Sequence, residues 1–253
     1  MTRWLGWLAV LALVAGLAMG FGYAPKDAVQ GNVQRIFYLH VPLIITAYLA
    51  FVIVFLASMA YLWRRSPAAD RLAQASAETG VVFTGLAIMA GSVWGKPTWG
   101  TWWTWDARLT STAVLFLIYV GYLLLRGMVE DREQGARYAA VVGIIGALNI
   151  PIVHFSVSWW RTLHQPSTLL GPGPAPIGPP MRAAWVVNQI AFILLYAYFV
   201  TKGARLRRLE EETHASPLGV RVRRLRHRRR GPLRLLAAPD PPGGGTVGPQ
   251  SPA

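Results

Sequence analysis

The chain contains no cysteine, which excludes disulfides, thiolate metal ligands, thiol redox chemistry and covalent attachment of a c-type heme through C-x-x-C-H. Charge is scarce as well. Asp, Glu, Lys and Arg make up 14% of the 253 residues, against 53% apolar residues, a balance that a soluble domain of this size rarely shows. Motifs of hydrolytic enzymes are also missing. Gly91 to Pro97, GSVWGKP, has the wrong spacing for a phosphate loop and lacks Ser or Thr after Lys96, so ATP hydrolysis is not expected. No metalloprotease His pair, nucleophile elbow or carboxylate dyad is present, and the chain is expected not to be an enzyme.

Long apolar runs are what the sequence has instead. Six of them are long enough to cross roughly 30 Å of hydrocarbon at about 1.5 Å per residue: Trp4 to Met19, Pro42 to Trp63, Ala77 to Trp94, Leu109 to Leu125, Tyr138 to Trp159 and Ala183 to Val200. Lipid offers the backbone no partners, so each is predicted to be a helix. The expected fold class is therefore all-α, a polytopic membrane protein of six transmembrane helices. The first run follows Arg3 and has an alternative reading as a secretory signal peptide, with Ala18 and Gly20 imitating a cleavage site.

The net charge of +14 resembles a nucleic-acid signal until it is mapped, because 12 of the 25 Lys and Arg lie beyond Thr201. No nucleic-acid partner is expected, and the basic tail is read as a segment on the membrane-lipid surface. Its Arg221 to Arg230 cluster marks the cytoplasmic side by the positive-inside rule, and an even number of spans puts both termini there. Two parts follow: a membrane domain over 1–202 and a basic, Pro/Gly-rich tail over 203–253, expected to be disordered. The outward loops are then about 23–41, 95–108 and 160–182. The last contains GPGPAPIGPP at 171–180, which forms neither helix nor central strand and is expected to run extended over the surface.

One outward loop carries an unusual density of aromatic residues. Trp94 to Thr110 reads WGKPTWGTWWTWDARLT and holds five of the eleven tryptophans, Trp94, Trp99, Trp102, Trp103 and Trp105, within twelve residues. Trp prefers membrane interfaces, so an aromatic belt is the plain alternative. A belt would be spread over many helix ends, whereas this cluster sits in one loop beside Gly95 and Gly100, which let a flat ligand approach. Rigid aromatic surface with few polar groups suits an apolar ligand, and a porphyrin has that shape plus two carboxylates on one edge. Arg108 is placed to meet a propionate with a forked hydrogen bond. Asp106 is read as orienting Arg108 or capping the fourth helix.

Two histidines fall on the same side. His40 and His164 each sit at the outer end of a predicted helix, with Pro42 and Pro166 two residues on. A lone loop histidine is usually a solvated or structural residue. Two neutral imidazoles from opposite sides, however, would make a six-coordinate heme iron, and beside the Trp loop both are expected to be axial ligands. His154 lies inside the fifth span, and a buried hydrogen bond to a carbonyl freed by Pro151 explains it most simply.

WGKPTWGTWWTWDARLT resembles the tryptophan-rich signature of the heme-handling proteins of cytochrome c biogenesis. FYLHVP around His40 and TLHQPST around His164 are similar to the two histidine-bearing loops of heme exporter protein C in that group, and the six-span layout matches over about Gly20 to Thr201. The resemblance implies a protein of the bacterial inner membrane that binds heme b non-covalently and transiently at the outer face. It implies delivery to a membrane-anchored heme chaperone, the E protein of the pathway, beside an ABC-type ATPase and permease pair and a small single-span protein. The proline-rich outer loop and the long basic tail depart from the pattern. Two competing readings are a heme permease subunit, which would want a polar route through the bundle, and a b-type redox protein, which would want paired intramembrane histidines.

Overall fold

A computed structural model describes residues 2–165 and 177–215. Helices carry almost all of them: α1 (Thr2–Ala18), α2 (Phe37–Arg64), α3 (Pro67–Trp99), α4 (Ala107–Met128), α5 (Arg132–Ala147), α6 (Asn149–Trp159) and α7 (Pro179–Ala215). A π-helical turn, Met19–Tyr23, extends α1, and a short 3-10 turn, Val33–Ile36, leads into α2. Six segments are long and apolar enough to span a membrane, with α5 and α6 together making one of them. The chain is an all-α, multi-pass membrane protein. Residues Met1–Arg208 form one compact unit, and of the second, Leu209–Ala253, the described part is helical.

Local chemistry explains where the helices start and stop. Ser66, Asp106 and Asp131 cap α3, α4 and α5 by accepting from the backbone N–H groups of Ala69, Leu109 and Gln134, which satisfies donors a first turn leaves open. α3 ends because Gly100 adopts φ 79°, the left-handed C-cap that favours glycine. Pro151 separates α5 from α6. Its ring would collide with the carbonyl four residues back, at Ala147, where α5 ends. Asn149 then anchors the break by donating from Nδ2 to Ser111 O at 2.8 Å.

Several predicted boundaries therefore move. The second and third spans are 28 and 33 residues long, because the helices outlast the hydrocarbon-length apolar core on which the prediction rested. His40 lies in the first turns of α2 and not in a loop; Trp94 and Trp99 lie on α3, and the Trp loop proper is 100–106. The fifth span is two helices instead of one. α7 runs to Ala215, twelve residues past Gly203, where the tail was expected to begin; its Leu-Arg-Arg-Leu-Glu-Glu-Glu composition favours helix. Pro166, most of the proline-rich stretch and the Arg221–Arg230 cluster lie outside the described residues.

The bundle is apolar outside and partly polar inside. Trp4, Leu117 and Leu124 are exposed, while Thr46, Ser76, Thr84 and Asn188 are buried, as expected where lipid is the solvent. α2 packs on α3 and α5 through small residues, with Gly80 against Phe51 and Gly143 against Val54. Phe51 stacks on Tyr119 at 3.8 Å. Asn188 donates to Gly16 O on α1 at 2.7 Å. At the end remote from the Trp loop, Arg126 makes a forked pair with Asp70, both contacts 2.7 Å, and Arg207 pairs with Glu78. The Trp-loop end therefore has its electrostatics to itself.

Candidate functional site

Four elements converge on a cavity of about 230 Å³ at the Trp-loop end: the first turns of α2, the last turns of α3, the start of α4, and α6 with the 160–165 segment. Antiparallel geometry orders its wall. His40, Ile44 and Tyr48 descend α2 a turn apart, while Ala87, Gly91, Gly95 and Trp99 rise along α3.

The two predicted histidines meet here. Their ring centroids are 6.5 Å apart, at an interplanar angle of 37°. His40 Nδ1 lies 2.9 Å from Ala87 O, and His164 Nδ1 lies 2.9 Å from Gln165 O. A carbonyl only accepts, so each Nδ1 must carry the proton and donate it. Each Nε2 is then the nitrogen with the free electron pair. Fixing one ring nitrogen to free the other is how proteins prepare imidazole for a metal. Two imidazoles sharing one metal at about 2 Å per bond have centroids roughly 6 to 6.5 Å apart, and the separation of this pair falls at that distance. Gly91 makes room for the arrangement, since a Cβ there would sit 2.8 Å from His40 Cε1.

Burial, first, and then the Arg108 guanidinium push the His164 pKa down to about 4; the Gln165 carbonyl opposes them, His40 adds a smaller lowering and Asp106 a smaller opposition. His164 is thus held neutral at physiological pH, the form that binds metal.

Asp106 explains how His164 is held. Its Oδ1 caps α4 on Leu109 N at 2.9 Å, as the sequence suggested. Its Oδ2 accepts from Thr162 Oγ1 at 2.8 Å and Leu163 N at 3.1 Å, and Thr162 Oγ1 in turn accepts from His164 N at 3.0 Å. One carboxylate therefore ties the Trp loop to the histidine segment. It does not line the cavity.

The tryptophans divide into two groups. Trp94, Trp99 and Trp103 line the cavity, with Trp94 5.8 Å from the His40 ring and Trp99 6.0 Å from the His164 ring. Trp102 and Trp105 are outside the lining, at 56% and 79% exposed, and Trp102 O accepts from Ser92 Oγ at 2.7 Å, closing the loop onto α3. Arg108 lines the cavity. So do Gln30, which accepts from Trp94 Nε1 at 2.8 Å, Tyr48, and His154. Sequence reasoning passed over Gln30 and Tyr48, and read His154 as a structural residue with a buried hydrogen bond. His154 has no hydrogen bond to any described residue, so the expected buried bond is absent, and the residue lines the cavity instead. Its rare place in a membrane span was the available signal.

The fold and cavity define a class: a six-span helical membrane protein with a tryptophan-walled pocket that brings together two neighbouring imidazoles, each with Nδ1 held by a carbonyl. The chain matches the family model Heme exporter protein C over residues 1–218. It is 43% identical over 194 residues to Heme exporter protein C of Escherichia coli K12, covering 77% of this chain and 78% of that protein. The Bradyrhizobium diazoefficiens protein of the same name is 42% identical over 193 residues, 76% of this chain and 73% of its own. A Marchantia polymorpha mitochondrial protein named for cytochrome c biosynthesis is 42% identical over 146 residues, 58% of this chain and 61% of its own. The chain belongs to the heme exporter protein C family.

Proposed function

We propose that this protein holds heme b between His40 and His164 and passes it to a heme chaperone in cytochrome c maturation. The names of the family and its relatives support heme handling in cytochrome c biogenesis. The observation that carries the site is the imidazole pair: two rings 6.5 Å apart, each with Nδ1 committed to a carbonyl. Without cysteine, the hold on heme is non-covalent. Trp94, Trp99 and Trp103 cover the porphyrin faces, and Trp102 and Trp105, exposed on the same loop, suit contact with the chaperone.

Release follows from how unequally the two ligands are mounted. His40 is built into a helix and bonded to α3. His164 sits in a non-helical segment tied down through Asp106 and Thr162. Movement of that segment takes one ligand away while His40 and the tryptophans keep the ring oriented. The transfer needs no covalent chemistry by this chain, which acts as a carrier and not an enzyme. The setting is the bacterial inner membrane, the cavity at its outer face and both termini cytoplasmic. The working partners are the membrane-anchored E protein, an ABC-type ATPase and permease pair and a small single-span protein.

The visible spectrum and heme-to-protein ratio of purified variants test the site. His40→Ala or His164→Ala alone leaves partial heme with an altered spectrum, and the double substitution loses most heme and loading of the chaperone. A wild-type spectrum in the double variant would remove both residues as ligands.

A further inference from the structure

The tryptophan wall of the cavity is held from the first outer loop. Asp27 and Gly31 close a tight turn by exchanging backbone hydrogen bonds of 3.0 and 3.2 Å, and Gly31 at φ 58° takes the left-handed conformation that favours glycine. The Asp27 carboxylate braces the turn, its Oδ1 accepting from Val29 N at 2.9 Å and Gln30 N at 2.7 Å. Val29 is left 93% exposed, while Gln30, the next residue, joins the cavity lining. There it accepts from Trp94 Nε1 at 2.8 Å, across 64 positions of the chain.

That bond has one possible sense. An indole N–H only donates, so the amide oxygen of Gln30 must face it, and the single polar atom of Trp94 is committed to the protein. The same indole meets two other rings edge-to-face, Phe37 at 6.3 Å and His40 at 5.8 Å. His40 is the residue whose Nδ1 is bound to Ala87 O, which leaves the electron pair on Nε2. A part-buried N–H without an acceptor seeks one, and the ring beside this indole carries a free imidazole nitrogen. Gln30 removes that competition by taking the N–H itself.

We propose that Gln30 is a positioning residue of the cavity: its amide oxygen holds the Trp94 N–H, so that the indole offers only its apolar ring to the cavity and His40 Nε2 stays free for iron. This rests on the cavity being a heme site and adds the first outer loop to the parts that set how firmly heme is held. Gln30 acts through Trp94, and Asp27 acts through Gln30.

The test reads the contact and its effect separately, on the full chain purified in detergent. In NMR without heme, the indole N–H resonance that disappears in Trp94→Phe is expected to shift in Gln30→Leu, which has no acceptor. It should stay in place in Gln30→Glu, which keeps an accepting oxygen. Transfer of ferric heme from the loaded protein to excess apomyoglobin then gives the release rate. Release is expected to be about threefold to tenfold faster in Gln30→Leu, the worth of one hydrogen bond, and close to wild type in Gln30→Glu. Adding Gln30→Leu to Trp94→Phe should quicken release no further, because the donor is already gone. Asp27→Ala should quicken release as Gln30→Leu does, whereas Asp27→Asn, which keeps the Oδ1 acceptor, should not. An unmoved indole resonance in Gln30→Leu would overturn the contact. A shifted resonance with wild-type release, or equal acceleration by Gln30→Leu with and without Trp94→Phe, would reduce Gln30 to a loop residue and end the positioning role. Wild-type protein that takes up no heme would instead overturn the heme site, and the indole shift, read without heme, tells the two failures apart.

Discussion

At the scale of single residues, the proposed ligation depends on which nitrogen of an imidazole is left free and whether it is protonated. On the proposed heme site, His164 would be the remaining ligand in a His40→Ala background, where a proton competes with iron for its lone pair. An ordinary imidazole would be protonated below about pH 6.5. The folded pKa here is lowered to about 4, so iron ligation should hold from pH 7 to 5 and fail only as pH drops through about 4. Loss of the ligated spectrum near pH 6.5 would show that His164 is not buried as described. The sign for stability agrees. Because unfolded His164 binds a proton that the folded form excludes, stability from this group is full above pH 6.5 and falls as pH drops toward 4. Asp106→Ala should cost about 1 kcal/mol through the lost cap and also give the spectrum of a single-histidine variant, since the His164 segment is released. A stability loss with an unchanged spectrum would reduce Asp106 to a cap. Gly91→Ala should push the His40 ring from its Ala87 bond, altering the spectrum at an overpacking cost of about 1–3 kcal/mol.

At the scale of elements, helix ends are where the site is assembled. α3 carries Trp94 and Trp99 beyond its hydrocarbon-length core and stops at Gly100; α4 starts at Asp106; and α6 starts anew because Pro151 ended α5. These three events aim Trp99, Arg108 and His154 at one cavity. The opposite ends of α3 and α4 are locked by the buried Asp70–Arg126 fork, whose side chains are 11% and 8% exposed. Breaking one partner leaves an unpaired buried charge, so Asp70→Asn should lower stability by roughly 3–5 kcal/mol. Asp70→Leu combined with Arg126→Leu should recover much of that, because the pair itself contributes little net energy. Thermal unfolding in detergent measures both, and equal losses in single and double variants would remove the pair from the account.

At the scale of the whole molecule, the bundle turns apolar surface outward and keeps its polar groups for helix contacts such as Asn188–Gly16 and Ser76–Tyr196. Having no native cysteine makes its topology easy to test. Single cysteines at the exposed positions Lys26 and Ala68 should label from opposite sides of intact spheroplasts, Lys26→Cys from outside. Labelling of both from one side would remove the six-span crossing pattern between them.

The sequence by itself determined the solvent, the helical class, the number of spans and the chemical types gathered near the Trp loop. Each of these is local: apolar run length, aromatic density and the residues that cap a turn are readable from neighbours in the chain. Only tertiary structure decided that His40 and His164, 124 positions apart, stand 6.5 Å from each other. It also decided that Trp94, Trp99 and Trp103 line the cavity while Trp102 and Trp105 are exposed outside it, and that His154, Tyr48 and Arg108 line the same cavity. Those facts depend on the rotation of each helix about its axis and on the helix breaks at Pro151 and Gly100. Rotation is set by packing of distant surfaces such as Gly80 on Phe51 and Gly143 on Val54, and no local pattern encodes which distant surface a helix will meet.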